Sequence, residues 1–252
     1  MNPADPLSDL TILIPLWNEA AVIEHVLDEI QGAALLSAAN VLLLDDGSAD
    51  STSDVIRRWR IRNPNPRIGL VSLPHGGKDL ALWHGFSVVQ TEWLGVMDGD
   101  GQYAPEDFSR LIEAARQKGS AAVWGIRVNR HDRGWRLLIS QWGRWFKRAI
   151  MGACRVTDTG CGIWVARTAY VREVGRLCPH PSGQVHCHLP EFIAAQGGQV
   201  GEMPIIHRER YAGQAKFGAL NRVWPGLQSL WQGRRLCRRA RPGPAGPHPE
   251  RP

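Results

Sequence analysis

The sequence predicts an α/β domain with a mainly parallel central sheet flanked by helices. Three observations carry that expectation. Short, continuous apolar runs recur along the first half of the chain, segments of helical period separate them, and polar or acidic clusters follow several of the runs. Strands buried on both faces read as unbroken apolar runs, and the helices between them supply the covering layers.

Residues 11–15 (TILIP) form the first expected strand. Asn18 is then placed to cap a helix with Val22, Ile23, Val26, Leu27 and Ile30 on one face. Residues 41–44 (VLLL) run into Asp45-Asp46-Gly47-Ser48, after which Asp50 or Ser51 caps a helix carrying Val55, Ile56 and Trp59. A third strand is expected over 68–73, a helix over 77–89 and a fourth strand over 93–97. Pro105 opens a helix ending near Lys118, and 121–126 is the fifth strand. Ligands of such sheets bind outside the carboxyl ends of the strands, where Asp45-Asp46 and Asp98 with Asp100 fall.

At 252 residues, 43% hydrophobic and 21% charged, the chain is ordinary for one large globular domain. The expected division is an extension over 1–9, the domain over 10–232, and a basic, Pro/Gly-rich disordered tail over 233–252. Residues 1–126 hold 9 basic and 17 acidic side chains, a net of −8, whereas the remainder holds 21 and 7, a net of +14. The basic part suits phosphates, nucleic acid or anionic lipid. Five cysteines without a CxxC pair argue against a disulfide framework. Cys178, His180, His186, Cys187 and His188 crowd together, but their spacing matches no common zinc pattern. The N-terminus does not read as a secretory signal, and no window approaches the roughly 18 apolar residues of a spanning helix.

The most informative motif is Asp98-Gly99-Asp100-Gly101-Gln102, at the end of an apolar run. In an extended strand Asp98 and Asp100 share a face, and Gln102 adds a neutral oxygen beyond them. Two like charges so close call for a cation, and an all-oxygen set suits Mg2+ or Mn2+; a polar turn after a strand is the competing reading. Neither G-x-G-x-x-G nor G-x-x-x-x-G-K-[ST] is present. Pro15-Leu16-Trp17-Asn18-Glu19 instead offers an aromatic face and a carboxylate, which suit a nucleobase and ribose.

Taken in order, ILIPLWNEA, LLLDDGSADST, HGGKDLALWHGF, MDGDGQYAPED, WGIRVNRHD, DTGCGIWVARTAY and RERYAGQAKFG resemble the family 2 glycosyltransferases of GT-A fold, within them the dolichol- or polyprenol-phosphate mannosyltransferases. The match covers about residues 10 to 230. It implies a nucleoside-diphosphate sugar donor such as GDP-mannose or a UDP-sugar, a Mg2+ or Mn2+ ion, and a polyprenyl phosphate acceptor. By the resemblance, Pro15, Trp17, Glu19 and Asp46 contact the nucleoside, while Asp98, Gly99, Asp100 and Gln102 form the metal motif. Arg127, Arg210 and Lys216 hold donor or acceptor phosphates, and Asp158 lies on the acceptor side. The family usually has tyrosine at Trp17, glycine at Ser51, serine at Ala215, tyrosine at Phe217 and Arg-Phe at Cys187-His188, so the chain departs from it there.

The expected reaction is a single displacement with inversion, in which the metal ion, Arg210 and Lys216 stabilise the leaving diphosphate. A phosphate acceptor is already largely ionised near neutral pH and needs no dedicated base. Residues 133–150 place Trp135, Leu138, Ile139, Trp142, Phe146 and Ile150 on one helical face among arginines, which with the resemblance points to a membrane interface. The protein is therefore expected as a peripheral protein at the cytoplasmic face of a membrane, with a separate anchoring subunit as an allowed partner. Three alternatives stand beside this reading. They are a catalytically silent relative that docks on membranes or partners, a transferase using a sugar hydroxyl with Asp158 or Glu191 as base, and a nucleic-acid binder, not expected because it leaves Asp98, Asp100 and Gln102 without a role.

Overall fold

The computed structural model describes residues 7–33, 37–128, 150, 156–181, 185–209 and 223–240. Its strands are β1 Leu10–Leu16, β2 Asn40–Asp46, β3 Ile68–Leu73, β4 Trp93–Met97, β5 Ala122–Arg127, β6 Ile163–Arg167 and β7 Val200–Ile205. The helices are α1 Ile23–Gly32, α2 Thr52–Arg62, α3 Lys78–Val88, α4 Asp107–Gln117, α5 Thr168–Leu177, α6 Leu189–Ala195 and α7 Val223–Arg239, with a 3-10 turn at Val185–His188.

The seven strands form one sheet in the order β3-β2-β1-β4-β6-β5-β7. Only β6 runs against its neighbours β4 and β5, so the expected mainly parallel α/β architecture is present. Alternation along each strand divides the core in two. Leu10, Ile12, Ile14 and Leu16 of β1 face α1, α2 and α4, whereas Leu13 belongs with Leu44, α3, α5 and α6 on the other side. Trp124 and Trp164 are register partners on β5 and β6 and stack at 4.6 Å, fastening the antiparallel strand into the second layer.

Because β1, β2, β4, β5 and β7 are parallel, their carboxyl ends share one edge. The reversed strand β6 begins at that edge, so residues 158–162 arrive there too.

Several local expectations need correction. Asn18 does not cap α1, which starts at Ile23. Asn18 instead adopts φ 54°, a conformation asparagine tolerates, and its Oδ1 accepts the backbone N–H groups of Ala49 and Asp50. Asp98 to Gln102 does not continue the strand: β4 stops at Met97 and Gly101 has φ +75°, so the motif forms a turn. Residues 7–9, expected as an extension, pack with the domain, since Leu7 is buried in the core and Asp9 pairs with Arg116. Residues 233–239, expected in the tail, are helical in α7, where Leu236 is buried against the second core. Among the described residues no helix is long and apolar enough to cross a membrane. Of the interfacial segment expected over 133–150 only Ile150 is described, and Arg210 and Lys216 lie outside the described residues.

Trp124→Ala removes a fully buried ring and its stacking partner's contact. It is expected to lower unfolding free energy by about 3–5 kcal/mol in urea denaturation.

Candidate active site

The edge is organised around residues 75–78, where the loop after β3 turns into α3. Asp46, the last residue of β2, is buried, and its Oδ1 accepts the backbone N–H groups of Gly76 at 2.8 Å and Gly77 at 3.1 Å. Its Oδ2 accepts Gly77 N–H at 2.9 Å and lies 2.9 Å from His75 Nδ1. A carboxylate at the mouth of a helix is favoured by those amides and by the helix dipole. Gly47 takes φ +63°, and a Cβ there would stand 2.6 Å from the His75 backbone nitrogen, so the two loops meet at a distance that only glycine permits.

From this fixed turn two side chains reach outward. The His75 ring stacks on Trp17, with centroids 4.8 Å apart and planes 17° apart. Lys78 Nζ lies 2.5 Å from Asp98 Oδ1. Burial opposes the Lys78 charge, but Asp98 outweighs it and holds the ammonium above its usual range.

Beyond β4, Asp100 is buried and its Oδ1 accepts Gln102 N–H at 3.3 Å. Gln102 Nε2 donates to the Arg208 carbonyl at 3.2 Å, and Arg208 N–H donates to the Gln102 carbonyl at 2.9 Å. The chain leaving β7 is thereby tied to the acidic motif two residues before Arg210. On the other side Asp98 N–H donates to the Gly162 carbonyl at 3.1 Å, and Gly162 N–H donates to Tyr103 Oη at 2.9 Å. A Cβ on Gly162 would stand 2.3 Å from Asp98 Oδ2.

A family model described as glycosyl transferase family 2 matches residues 11–175. The chain belongs to glycosyl transferase family 2. It is 26% identical over 226 residues to an undecaprenyl-phosphate 4-deoxy-4-formamido-L-arabinose transferase of Pseudomonas syringae pv. syringae, covering 86% of this chain and 63% of that one. An enzyme of the same description from Aeromonas hydrophila is 27% identical over 229 residues, covering 88% and 67%. The chain thus spans about two thirds of the length of these relatives. A mannosyltransferase from Pyrobaculum calidifontis, in complex with GDP-Man and Mn2+, superposes with a TM-score of 0.63 at 22% identity, over 89% of this chain and 62% of that one. A glucosyl-3-phosphoglycerate synthase from Mycobacterium tuberculosis, in complex with UDP, gives 0.65 at 19% identity, over 89% and 79%. These likenesses establish the GT-A fold of this family 2 member.

In this family 2 chain the edge gathers Pro15, Trp17, Glu19, Asp46, Asp98, Gly99, Asp100 and Gln102. Arg127 and Asp158 are there too, but engaged with each other: Arg127 Nε and Nη2 donate to Asp158 Oδ2 and Oδ1, each at 2.7 Å. Burial works against the Arg127 charge, and Asp158 more than restores it. A carboxylate clamped by a guanidinium is a poor proton acceptor, and Glu191 is buried in the first turn of α6, which weighs against the sugar-hydroxyl reading. His75, Gly76, Gly77 and Lys78 receive no role in the sequence reading. The signal was two glycines and a lysine opening an expected helix.

In the cysteine and histidine crowd His186 meets Cys187, and the other contacts reach outside the group. His186 Nδ1 lies 2.6 Å from Asp79 Oδ1, and Asp79 also accepts the backbone N–H groups of Val185 and His186. His188 Nε2 is 3.1 Å from Ser229 Oγ on α7, and the Cys178 carbonyl accepts Trp83 Nε1–H at 2.7 Å. These contacts fasten the 3-10 turn to α3 and α7.

Two outcomes follow from this geometry. Burial pulls the His186 imidazole down, but Cys187 and Asp79 outweigh it and push it up to about 10 from its usual 6.5. The stability carried by that pair is fully present below about 6.5 and is lost as pH rises through about 10. Asp79→Asn should flatten this part of the stability profile, read by urea unfolding across the same pH range. Gly162→Ala, by crowding Asp98, should lower the unfolding free energy by about 1–3 kcal/mol in urea denaturation.

Proposed function

We propose that this chain transfers a sugar from a nucleoside diphosphate to a polyprenyl phosphate, using a divalent cation held by Asp98, Asp100 and Gln102. The observation that carries the reading is the Lys78–Asp98 contact at 2.5 Å, an ammonium seated on a hard oxygen donor of the acidic motif, beside the Trp17–His75 ring pair. The donor set of two carboxylates and an amide oxygen fits Mg2+ or Mn2+. The relatives named for undecaprenyl-phosphate transfer and the fold neighbours carrying Mn2+, GDP-Man or UDP support the same reading.

When bound, the cation supplies positive charge against the diphosphate as its bond to the sugar breaks. The protein's own groups do the rest. Trp17, with Pro15 and Glu19, receives the nucleoside, while Asp46 holds the turn that carries His75 and Lys78. Lys78 exchanges part of its pairing with Asp98 for the diphosphate oxygens. By the family resemblance, Arg210 and Lys216 supply further positive charge to the same anions. The acceptor phosphate attacks the anomeric carbon in line, with inversion. No proton need be removed from a phosphate already ionised, so Asp158 remains with Arg127 and shapes the acceptor side.

A polyprenyl phosphate reaches the site from a membrane surface, and the reading places the chain peripherally on the cytoplasmic face. Trp231 is 66% exposed on α7, which also carries Arg234, Arg235, Arg238 and Arg239, a combination suited to the headgroup region.

Calorimetry of GDP-mannose, UDP-glucose and UDP-N-acetylglucosamine with and without Mn2+ tests the donor half of this reading. Binding of one donor that requires the metal is expected, and absence of binding to all three in folded protein would count against it. In a transfer assay with polyprenyl phosphate, Asp100→Asn and Lys216→Ala should each remove most of the activity, at least about a hundredfold. Near-normal turnover in either would reassign the site.

A further inference from the structure

His75 carries a second consequence, which rests on the donor-site reading above. Asp46 is the carboxylate expected to contact the nucleoside, yet its oxygens are taken by the protein. Oδ1 accepts the backbone N–H groups of Gly76 and Gly77, and Oδ2 shares the Gly77 N–H and receives the His75 ring. A carboxylate offers about four lone-pair sites, so little acceptor capacity is left for a base. The polar group that does face outward is the imidazole. His75 Nδ1 lies 3.0 Å from the Asp46 carbonyl oxygen and 2.9 Å from Asp46 Oδ2. Both neighbours are acceptors, so Nδ1 carries the proton. In the neutral ring Nε2 is then a lone-pair acceptor.

Among the described residues nothing pairs with Nε2, and the His75 side chain is 54% exposed. The ring is nevertheless held on three sides. Trp17 stacks on its face, Asp46 anchors its Nδ1, and the close approach of Gly47 fixes its backbone. An acceptor of fixed direction, beside an aromatic face and three residues before the lysine on the metal motif, is placed where a base edge meets the protein.

We infer that His75 reads the donor's base, with Nε2 accepting the ring N–H of a uracil- or guanine-type base. Adenine and cytosine present a bare ring nitrogen at the corresponding position, so two acceptors would face each other. The substrate class is therefore a uridine or guanosine diphosphate sugar rather than an adenosine or cytidine one. His75 sets this choice, and Asp46 is the residue that positions His75.

The test is calorimetry with Mn2+ on UDP and GDP and on their N3-methyl-uridine and N1-methyl-guanosine counterparts, which lack the ring N–H. Wild-type protein should bind UDP or GDP at least about tenfold more tightly than the methylated partner. His75→Phe keeps an aromatic ring on Trp17 but has no acceptor. It should bring the unmethylated nucleotide down to the affinity of the methylated one, leaving the latter within about threefold of its wild-type value. Equal loss for both nucleotides, including loss of all binding, would make His75 a purely structural residue. Discrimination that persists in His75→Phe would assign base reading elsewhere. Either result overturns the inference while the donor site stands. Failure of wild-type protein to bind any of the four would instead remove the donor-site reading beneath it.

Discussion

Folding carries the Asp46 carboxylate out of water, and the order of the site follows from how that charge is satisfied. An ionised carboxylate stripped of partners in such a place costs several kcal/mol, so the backbone N–H groups of Gly76 and Gly77 are held to it firmly. Those amides open α3. Fixing them fixes the direction in which His75 leaves on one side and Lys78 on the other. The aromatic platform at Trp17 and the cation at Asp98 are thus two outcomes of one buried interaction. Its partner Asp45 does the corresponding work on the opposite face, accepting Ser48 N–H and the Ser53 hydroxyl and so closing the loop into α2.

The same economy of partners governs the far side of the edge. Reversing β6 brings its amino end, rather than its carboxyl end, to the edge where the parallel strands finish. Gly162 and Asp158 therefore enter the site from a strand that is not part of the β-α series. Gly162 accepts the Asp98 N–H at its carbonyl and donates its own N–H to Tyr103 Oη, and the absence of a side chain there is what lets Asp98 occupy its place. Asp158 in turn ties Arg127 down. The antiparallel insertion thus sets the Arg127–Asp158 pair on one side of the edge, with Trp17, His75 and Asp46 on the β1–β2 side.

Where sequence reading succeeds, the determinants are local. Residues 68–73 and 93–97 are strands over the limits expected of them, because an apolar run bounded by polar residues and followed by a helical period leaves little choice. The gathering of Trp17, Asp46 and Asp98 at one edge follows from the same alternation. Where it fails, the determinants are distant. Ile163 to Ala166 is an apolar run, but its reversal and insertion between β4 and β5 depend on partners far away in the chain. Asn18 looks like a helix cap until the loop at 48–50 offers it better donors. Lys78 is visible as a lysine after two glycines, but its meeting with Asp98 exists only once α3 is packed beside β4. All but Ile150 of the amphipathic segment expected over 133–150, and the cations at 210 and 216, lie outside the described residues.

Charge balance argues for the division of labour in the proposed reaction. The incoming groups are a diphosphate and a phosphate monoester, which together bring several negative charges to an edge already holding Asp46, Asp98, Asp100 and Asp158. Lys78, Arg127 and Arg208 at that edge are each paired with a carboxylate, so they neutralise charge that is present before any substrate arrives. Gathering two more anions there demands additional positive charge that is absent when the site is empty and arrives with, or closes over, the substrate. A divalent ion on the acidic motif, as proposed, would meet the first part of that demand. The marked basic excess of the second half of the chain supplies side chains that could meet the second. A neutral sugar hydroxyl as acceptor would require less positive charge and one uncommitted base, the reverse of what Arg127 and Asp158 provide.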